Sequence, residues 1–385
     1  MPKILISAFP TLKVSLLTQK RNNGLKDLLS RYNCPKIKFL FLGRSAIWHA
    51  VKMLNLKEND VIMIPSYHCS VEVEAILQAG AKIKFFEIDN NMNADLKDIE
   101  TKIDKNTKAI FIIHYFGFPQ PILEIKKICE NYKLYLIEDC AHAFLSSTAG
   151  RYLGTFGDFG ILSMQKFLPL PNGGVLLINN TNFKKHFKLI PPNEISVIRS
   201  LFLNFLNNLE INHNNAYQII NLSMITLIKK FLNIIKKQSN LKIINPTSVD
   251  FNLSMANLAM SNISKRILNN IDLNKMIIIR RQNYNFLLEK LKNIPQIKIC
   301  FPKLPQGVCP YFFPIEVKNN RHLYEKLKKQ GIYTFIFGEF LHNVLPQEGF
   351  DTARYLSKHI LALPIHQDLN QNQLQYMVNS LKNIL

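Results

Sequence analysis

Residues 134–142 read LYLIEDCAH, an apolar run that ends on the two carboxylates Glu138 and Asp139. A short apolar run followed directly by polar residues predicts a buried strand over residues 134–137. Similar runs alternate with helical patterns along the chain, at residues 37–42, 61–64, 82–88, 109–114, 161–163 and 175–178. Because loops of a few residues join these segments, the pattern predicts an α/β fold with a mostly parallel sheet between two layers of helices.

The functional residues of such a sheet lie beyond the carboxyl ends of its strands. Four segments occupy that position here, at residues 43–46, 65–69, 114–117 and 139–142. We therefore expect Asp139 and the helix that begins near Gly43 to face the same edge of the sheet.

A second stretch, GTFGDFGILSMQKFLPLPNGG at residues 154–174, places Lys166 between two glycine-rich turns. Most lysines are solvated, so Lys166 on its own indicates little. A lysine at the end of a buried strand differs, because burial favours the neutral amine, which can form a Schiff base. Lys166 is therefore a candidate nucleophile.

Three of these features together match the needs of one cofactor. Pyridoxal phosphate requires an amine, a carboxylate that keeps its ring nitrogen protonated, and a site for its phosphate. Lys166 supplies the amine and Asp139 the carboxylate, while a helix start at Gly43, Arg44 and Ser45 offers free N–H groups that favour a phosphate. Each feature alone has an ordinary explanation, such as a helix cap, but the combination predicts a pyridoxal phosphate site.

With these features the sequence resembles the DegT/DnrJ/EryC1/StrS family of pyridoxal-phosphate-dependent aminotransferases, which act on nucleotide-linked keto sugars. The resemblance covers most of residues 40–180 and recurs at 250–290 and near 361–366. It implies a fold-type-I transferase with a mostly parallel seven-stranded sheet and a smaller α+β C-terminal domain. The segments that carry it are residues 65–67, 78–82, 114–117, 137–143, 154–158 and 163–174.

The resemblance also implies roles for individual residues. Asp139 would pair with the pyridinium nitrogen, His142 would lie near the ring hydroxyl, and Lys166 would form the Schiff base and move protons. Asn252 would reach the phosphate of a neighbouring subunit, which implies a homodimer with a shared active site. The remaining cofactor-binding residues would be Gly43, Arg44, Ser45, Ala46, Tyr67, Cys69 and Ser163.

Several positions depart from the family pattern. Residues 42–46 read LGRSA where the family usually has Ser-Gly-Thr-x-Ala, and Ser163 and Lys166 are two residues closer together than is common. Cys69 stands near the expected position of an aromatic residue that stacks on the cofactor ring, so Tyr67 or His68 is the candidate substitute. Ser254 stands where the family often has an arginine for the donor or substrate.

The resemblance and the helical patterns divide the chain into a large domain at residues 1–245 and a small one at residues 246–385. The large domain includes a helical insertion at about 181–245, with helices predicted near 198–209 and 216–237. The second helix has an apolar stripe flanked by lysines. An apolar face of this kind is typical of core or dimer packing, and the alternative is a peripheral contact with an anionic membrane. A single long helix is predicted for residues 256–291.

The charge of the chain is +21, but residues 58–160 are net acidic. Because this segment contains most of the predicted site and no nucleic-acid-binding motif is present, nucleic acid is excluded as a partner. The six cysteines are scattered without a C-x-x-C pair, and no metal site is predicted. With no apolar run of about 18 residues, the protein is expected in the cytoplasm, with a peripheral place at the inner membrane face as the alternative.

These observations predict transfer of an amino group, with glutamate as donor, to a nucleotide-linked keto sugar for surface polysaccharide or glycoconjugate synthesis. Two alternatives share the fold: a sugar dehydratase-like enzyme and an aminotransferase for other substrates. The dehydrating relatives replace the lysine, typically with histidine, so Lys166 favours transamination. A third alternative is a catalytically idle scaffold at a membrane surface.

Overall fold

A computed structural model describes residues 4–13, 15–18, 22–184, 186–212 and 251–385 of the 385-residue chain. Two sheets and a short hairpin contain its strands. In chain order they are β1 Lys36–Leu40, β2 Val61–Pro65, β3 Lys82–Phe86, β4 Thr107–Ile113, β5 Tyr135–Asp139, β6 Ser147–Thr148, β7 Arg151–Tyr152, β8 Phe159–Ser163, β9 Gly174–Ile178, β10 Lys298–Ile299, β11 Phe312–Glu316 and β12 Ile360–Pro364.

The large sheet has seven strands in the order β1-β9-β8-β5-β4-β2-β3. Strands β8, β5, β4, β2 and β3 pair in parallel, and β9 pairs antiparallel with both β8 and β1. The predicted mostly parallel α/β sheet is thereby confirmed. All residues of β8 and β9 are buried, which explains why these strands read as continuous apolar runs without alternation.

Helices cover the sheets and join the strands. In chain order they are α1 Ser15–Thr18, α2 Gly24–Tyr32, α3 Gly43–Met53, α4 Ser70–Gln78, α5 Leu96–Lys102, α6 Ile122–Tyr132, α7 Glu194–Asn212, α8 Asn262–Asn269, α9 Leu273–Leu291, α10 Asn320–Lys329, α11 Asp351–His359 and α12 Gln371–Ile384. Among the residues that the structure describes, no helix combines the length and the apolar character that a bilayer-spanning segment needs.

The structure corrects one predicted helix and lengthens another. The single helix expected over residues 256–291 is wrong, because Asn270–Asp272 separates α8 from α9. The Asn270 side chain donates to the carbonyl of Leu16, and the Asp272 carboxylate caps α9 by accepting from the N–H of Lys275 at 2.9 Å. The Asp272 bond is local and favours the start of a new helix, whereas the Asn270 bond ties the break to a distant segment. The helix predicted near 198–209 extends over α7, and the one predicted for 216–237 lies outside the described residues.

The second sheet, β10-β11-β12, is antiparallel and packs against α9. Residues near the N-terminus contact the C-terminal part of the chain. Ile6 forms a β-bridge with Ile332, and the Ser7 carbonyl oxygen lies 3.0 Å from Nε2 of His366. One hydrophobic core runs from the large sheet to the small one. The division into domains at residues 245 and 246 stays a prediction.

Candidate active site

A small cavity of about 130 Å³ lies at the carboxyl ends of β5 and β8. Five residues that the sequence pointed to line it: Gly43, Arg44, Asp139, Ser163 and Lys166. Glu72 and Gln165 line it as well, although no sequence pattern pointed to them. Parallel strands thus bring together groups that are more than 100 residues apart in the chain.

Asp139 is the last residue of β5 and is 1% exposed. Its Oδ1 accepts a hydrogen bond from the backbone N–H of Ala141 at 2.7 Å. Burial raises the pKa of the Asp139 carboxyl group, while the positive charge of Lys166 and the bond from Ala141 act in the opposite direction. The carboxylate therefore lines the same cavity as the Lys166 amine, and the bond from Ala141 fixes its orientation.

The turn that carries Lys166 follows β8 directly and is held by its backbone. Met164 donates to the carbonyl of Gly173 at 2.8 Å, which ties the turn to the start of β9. The carbonyl of Phe167 accepts from both Arg280, at 3.1 Å, and Gln367, at 3.0 Å. Because the backbone on both sides is fixed, the Lys166 side chain starts from a defined position in the cavity wall.

The first turn of α3 forms the other end of the cavity. Among the described residues no side chain caps this helix, and the residue before it, Leu42, is extended. A side chain at Gly43 would place its Cβ 3.3 Å from Cβ of Ser163, and one at Gly174 would meet the Leu42 carbonyl group at 2.2 Å. The two glycines therefore let the helix start, Ser163 and β9 approach closely. Burial lowers the pKa of the Arg44 guanidinium beside them.

Other predicted residues do not line the cavity. The Ser45 hydroxyl donates to the carbonyl of Met255 at 3.3 Å, and Ala46 is buried in the core. The Tyr67 hydroxyl donates to the carbonyl of Phe337 at 2.8 Å, and its ring packs against Tyr115 and Phe337. Cys69 is the cap residue of α4, and burial, followed by the charge of Glu72, raises the pKa of its thiol to about 11.

The predicted cofactor contact His142 lies among buried aromatic side chains. It is buried, and neither ring nitrogen has a hydrogen-bond partner among the described residues. Its ring packs against Tyr311 and Phe337, with ring centroids 4.7 and 4.8 Å apart. Burial, and then the charge of Lys166, lower its pKa well below the ordinary value. An unpartnered buried ring of this kind carries a desolvation cost unless a ligand supplies a partner.

Asn252 lies at the surface of the described part of the protein. Its side chain caps a short 3₁₀ turn at Leu253–Met255, where Oδ1 accepts from the N–H of Ser254 at 3.0 Å. The residue is exposed and does not line the cavity. Its predicted role toward a neighbouring subunit stays a prediction.

Sequence reasoning missed the role of Glu138, the neighbour of Asp139. Side chains alternate along a strand, so Glu138 points away from the cavity, and it accepts from the N–H groups of Gly154, Phe156 and Gly157 at 2.7–2.9 Å. Nε2 of His114 lies 3.2 Å from its Oε2. His114, Glu138 and Cys140 are near enough to suggest a metal site, but the Glu138 oxygens already have protein partners. Glu138 therefore fixes the glycine-rich loop that precedes β8.

A sequence model of the DegT/DnrJ/EryC1/StrS aminotransferase family matches residues 42–382. The chain belongs to this family. The match includes the cavity, the Lys166 turn and every strand except β1, and it confirms the resemblance found in the sequence. The predicted class of enzyme, an aminotransferase, agrees with the description of this family.

Two GDP-perosamine synthases are similar to part of the chain. The protein from Vibrio cholerae is 32% identical over 141 residues, which are 36% of this chain and 38% of that protein. The protein from Escherichia coli O157:H7 is 34% identical over 152 residues, 38% of this chain and 42% of that protein. The chain therefore aligns with about two fifths of the length of these curated relatives.

Solved structures share the whole fold. The aminotransferase TlmJ from Streptoalloteichus hindustanus superposes with a TM-score of 0.71 at 19% identity, covering 98% of each chain. The sugar aminotransferase CalS13 from Micromonospora echinospora gives a TM-score of 0.68 at 16% identity, covering 99% of each chain. At such low identity these likenesses establish the fold of this family member and no more.

Proposed function

We propose that the protein is a pyridoxal-phosphate-dependent aminotransferase that moves an amino group from glutamate to a keto sugar carried on a nucleotide. The observation that carries the proposal is the shared cavity, which brings the Lys166 amine, the Asp139 carboxylate and the first turn of α3 together. These are the three groups that this cofactor requires.

The residues present fit pyridoxal phosphate in three respects. The unpartnered ring of His142 lacks a polar contact that a ring hydroxyl could supply. The absence of a Cβ at Gly43 leaves room beside Ser163, where a phosphate could approach the helix start. An amine and a carboxylate line the same cavity, which suits a ligand with a cationic ring nitrogen and a carbonyl carbon.

When bound, pyridoxal phosphate supplies a carbonyl group and an electron sink for the amino transfer. Asp139 would hold the proton on the ring nitrogen, because an opposite charge at short range favours the charged form. Lys166 would hold and move the proton at the carbon atoms that react. Arg44, Ser163 and the N–H groups of the first α3 turn would bind the phosphate.

The nature of the acceptor is proposed from the relatives. Their names describe enzymes such as a GDP-perosamine synthase and a dTDP-sugar 4-aminotransferase, and the alignments cover about two fifths of those proteins. A nucleotide-linked keto sugar, used for a surface polysaccharide or glycoconjugate, is therefore the substrate class that we propose. The presence of Lys166 in the cavity favours amino transfer over a dehydratase-like reaction, and the assembled site is an argument against an idle scaffold.

We also propose that two copies form a dimer in the cytoplasm. Three apolar side chains of α7 are exposed at helical spacing, namely Ile195 at 69%, Ile198 at 56% and Phe202 at 40%. Such a stripe favours a protein partner, with a membrane surface as the alternative. Light scattering is expected to give twice the chain mass of 44.5 kDa, and replacing Ile198 with lysine is expected to weaken the assembly. A monomeric wild-type protein at micromolar concentration would contradict the dimer.

The proposed activity is tested by absorbance spectroscopy. Purified protein mixed with pyridoxal phosphate is expected to acquire the visible band of a lysine-bound cofactor. Adding glutamate without an acceptor is expected to replace this band with that of the aminated cofactor, as 2-oxoglutarate forms in an equal amount. The absence of any protein-bound band would rule out the cofactor, and a band that ignores glutamate would rule out glutamate as the donor.

A further inference from the structure

The cavity contains a second carboxylate for which the proposed function gives no task. Glu72 is the third residue of α4, and its side chain turns back so that Oε2 accepts from the backbone N–H of Cys69 at 3.0 Å. The residue is 4% exposed and lines the same cavity as Lys166. Glu72 is therefore a buried acid that a backbone bond holds in a fixed place at the site.

The charged and titratable groups around Glu72 come from five elements. Asp139 lies at the end of β5, Lys166 in the turn after β8, Arg44 in the first turn of α3, Tyr115 in the short turn after β4, and Cys69 at the cap of α4 itself. Two carboxylates thus share the field of one nearby ammonium group. In a closed site of low dielectric constant, this arrangement favours a proton on one of the two carboxylates.

Glu72 is the better place for that proton. Burial raises its pKa to about 8, the negative charge of Asp139 acts in the same direction, and the charge of Lys166 opposes both. Asp139 has a further reason to stay charged, because it would face a cationic ring nitrogen. A carboxyl group that titrates near neutral pH exchanges protons efficiently, whereas an ordinary glutamate remains ionised.

We propose that Glu72 is the acid–base partner of Lys166, an inference that rests on the proposed function. In the forward direction an N–H bond of the Lys166 ammonium breaks, its electron pair stays on Nζ, and an O–H bond forms on the Glu72 carboxylate. The reverse transfer restores the ammonium group, so no other base is consumed. Asp139 keeps its charge in both directions and remains available to the cofactor ring.

The test uses the variant Glu72→Gln in the full-length protein. Glutamine can still accept from the N–H of Cys69, so the cap of α4 remains, but it cannot accept a proton at neutral pH. The measured quantity is the rate at which free pyridoxal phosphate becomes attached to Lys166 in cofactor-free protein. Borohydride trapping and mass spectrometry of the Lys166 peptide give this rate without any measurement of amino transfer.

For the wild-type protein the attachment rate is expected to rise through about pH 8, as Glu72 becomes an available acceptor. For Glu72→Gln we expect the rate at and above about pH 8 to fall at least about tenfold, and the rise to move to higher pH. Glu72→Asp retains a carboxylate and is expected to recover part of the rate.

Glu74→Gln is the matched control. It removes the same charge from the same helix, but the Glu74 carboxylate points to Nε2 of His342 at 3.3 Å, and its loss is expected to leave the pH profile unchanged. An equal or faster attachment rate in Glu72→Gln, with the rise at the same or a lower pH, would overturn the proposal. Glu72 would then act only as a counter-charge for Lys166. Failure of the wild-type protein to attach the cofactor would instead refute the proposed function.

Discussion

Replacing Lys166 with alanine is expected to lower the rate of amino transfer by about a thousandfold or more. The wild-type amine would serve first as the nucleophile that holds the cofactor and then as the group that moves a proton. Alanine can do neither. Binding of the cofactor phosphate by Arg44, Ser163 and the first turn of α3 is expected to survive, because none of these contacts involves the lysine side chain.

The Lys166→Ala variant should also fold normally. The turn is held through backbone bonds of Met164 and Phe167, which the substitution leaves in place. Rapid-mixing absorbance measurements of the glutamate half-reaction provide the rate, and circular dichroism checks the fold. Lys127→Ala, which removes an exposed lysine from α6, is the control and is expected to react like the wild type. Retention of more than a tenth of the wild-type rate by Lys166→Ala would contradict the assigned role.

Replacing Glu138 with alanine is expected to lower the free energy of unfolding by about 3–5 kcal/mol. The fully buried carboxylate accepts three backbone N–H groups of the loop before β8, and His114 lies against it. Without Glu138 these donors would stay in the protein interior without an acceptor. The loss of free energy therefore includes the desolvation of the groups left behind.

Urea unfolding followed by fluorescence gives this free energy directly. Glu130→Ala on the exposed side of α6 is the matched control, and its effect is expected to stay within about 0.5 kcal/mol. Hydrogen exchange offers a second readout, because the amides of Gly154, Phe156 and Gly157 should lose protection in Glu138→Ala. A loss below about 1 kcal/mol, with these amides still protected, would contradict a structural role for Glu138.

Much of the fold followed from patterns that are local in sequence. The apolar runs and the glycine-rich turns fixed the strands of the large sheet, because buried parallel strands need continuous apolar side chains on both faces. The position of Asp139 at a strand end and of Lys166 after the next parallel strand then placed both at one edge of the sheet. The sequence prediction was wrong at Asn270 and Asp272, because Asn270 binds the distant Leu16 carbonyl and Asp272 caps a new helix.

Local sequence patterns were thus sufficient to predict the family, the sheet and the charged groups at its edge, because strand period and turn chemistry act over a few residues. The directions of the side chains depend on packing between distant segments. This packing turned Ser45 toward Met255, enclosed His142 with Tyr311 and Phe337, and brought Glu72 into the cavity with Lys166. These outcomes depend on burial and on contacts between segments far apart in the chain, and no short stretch of sequence contains that information.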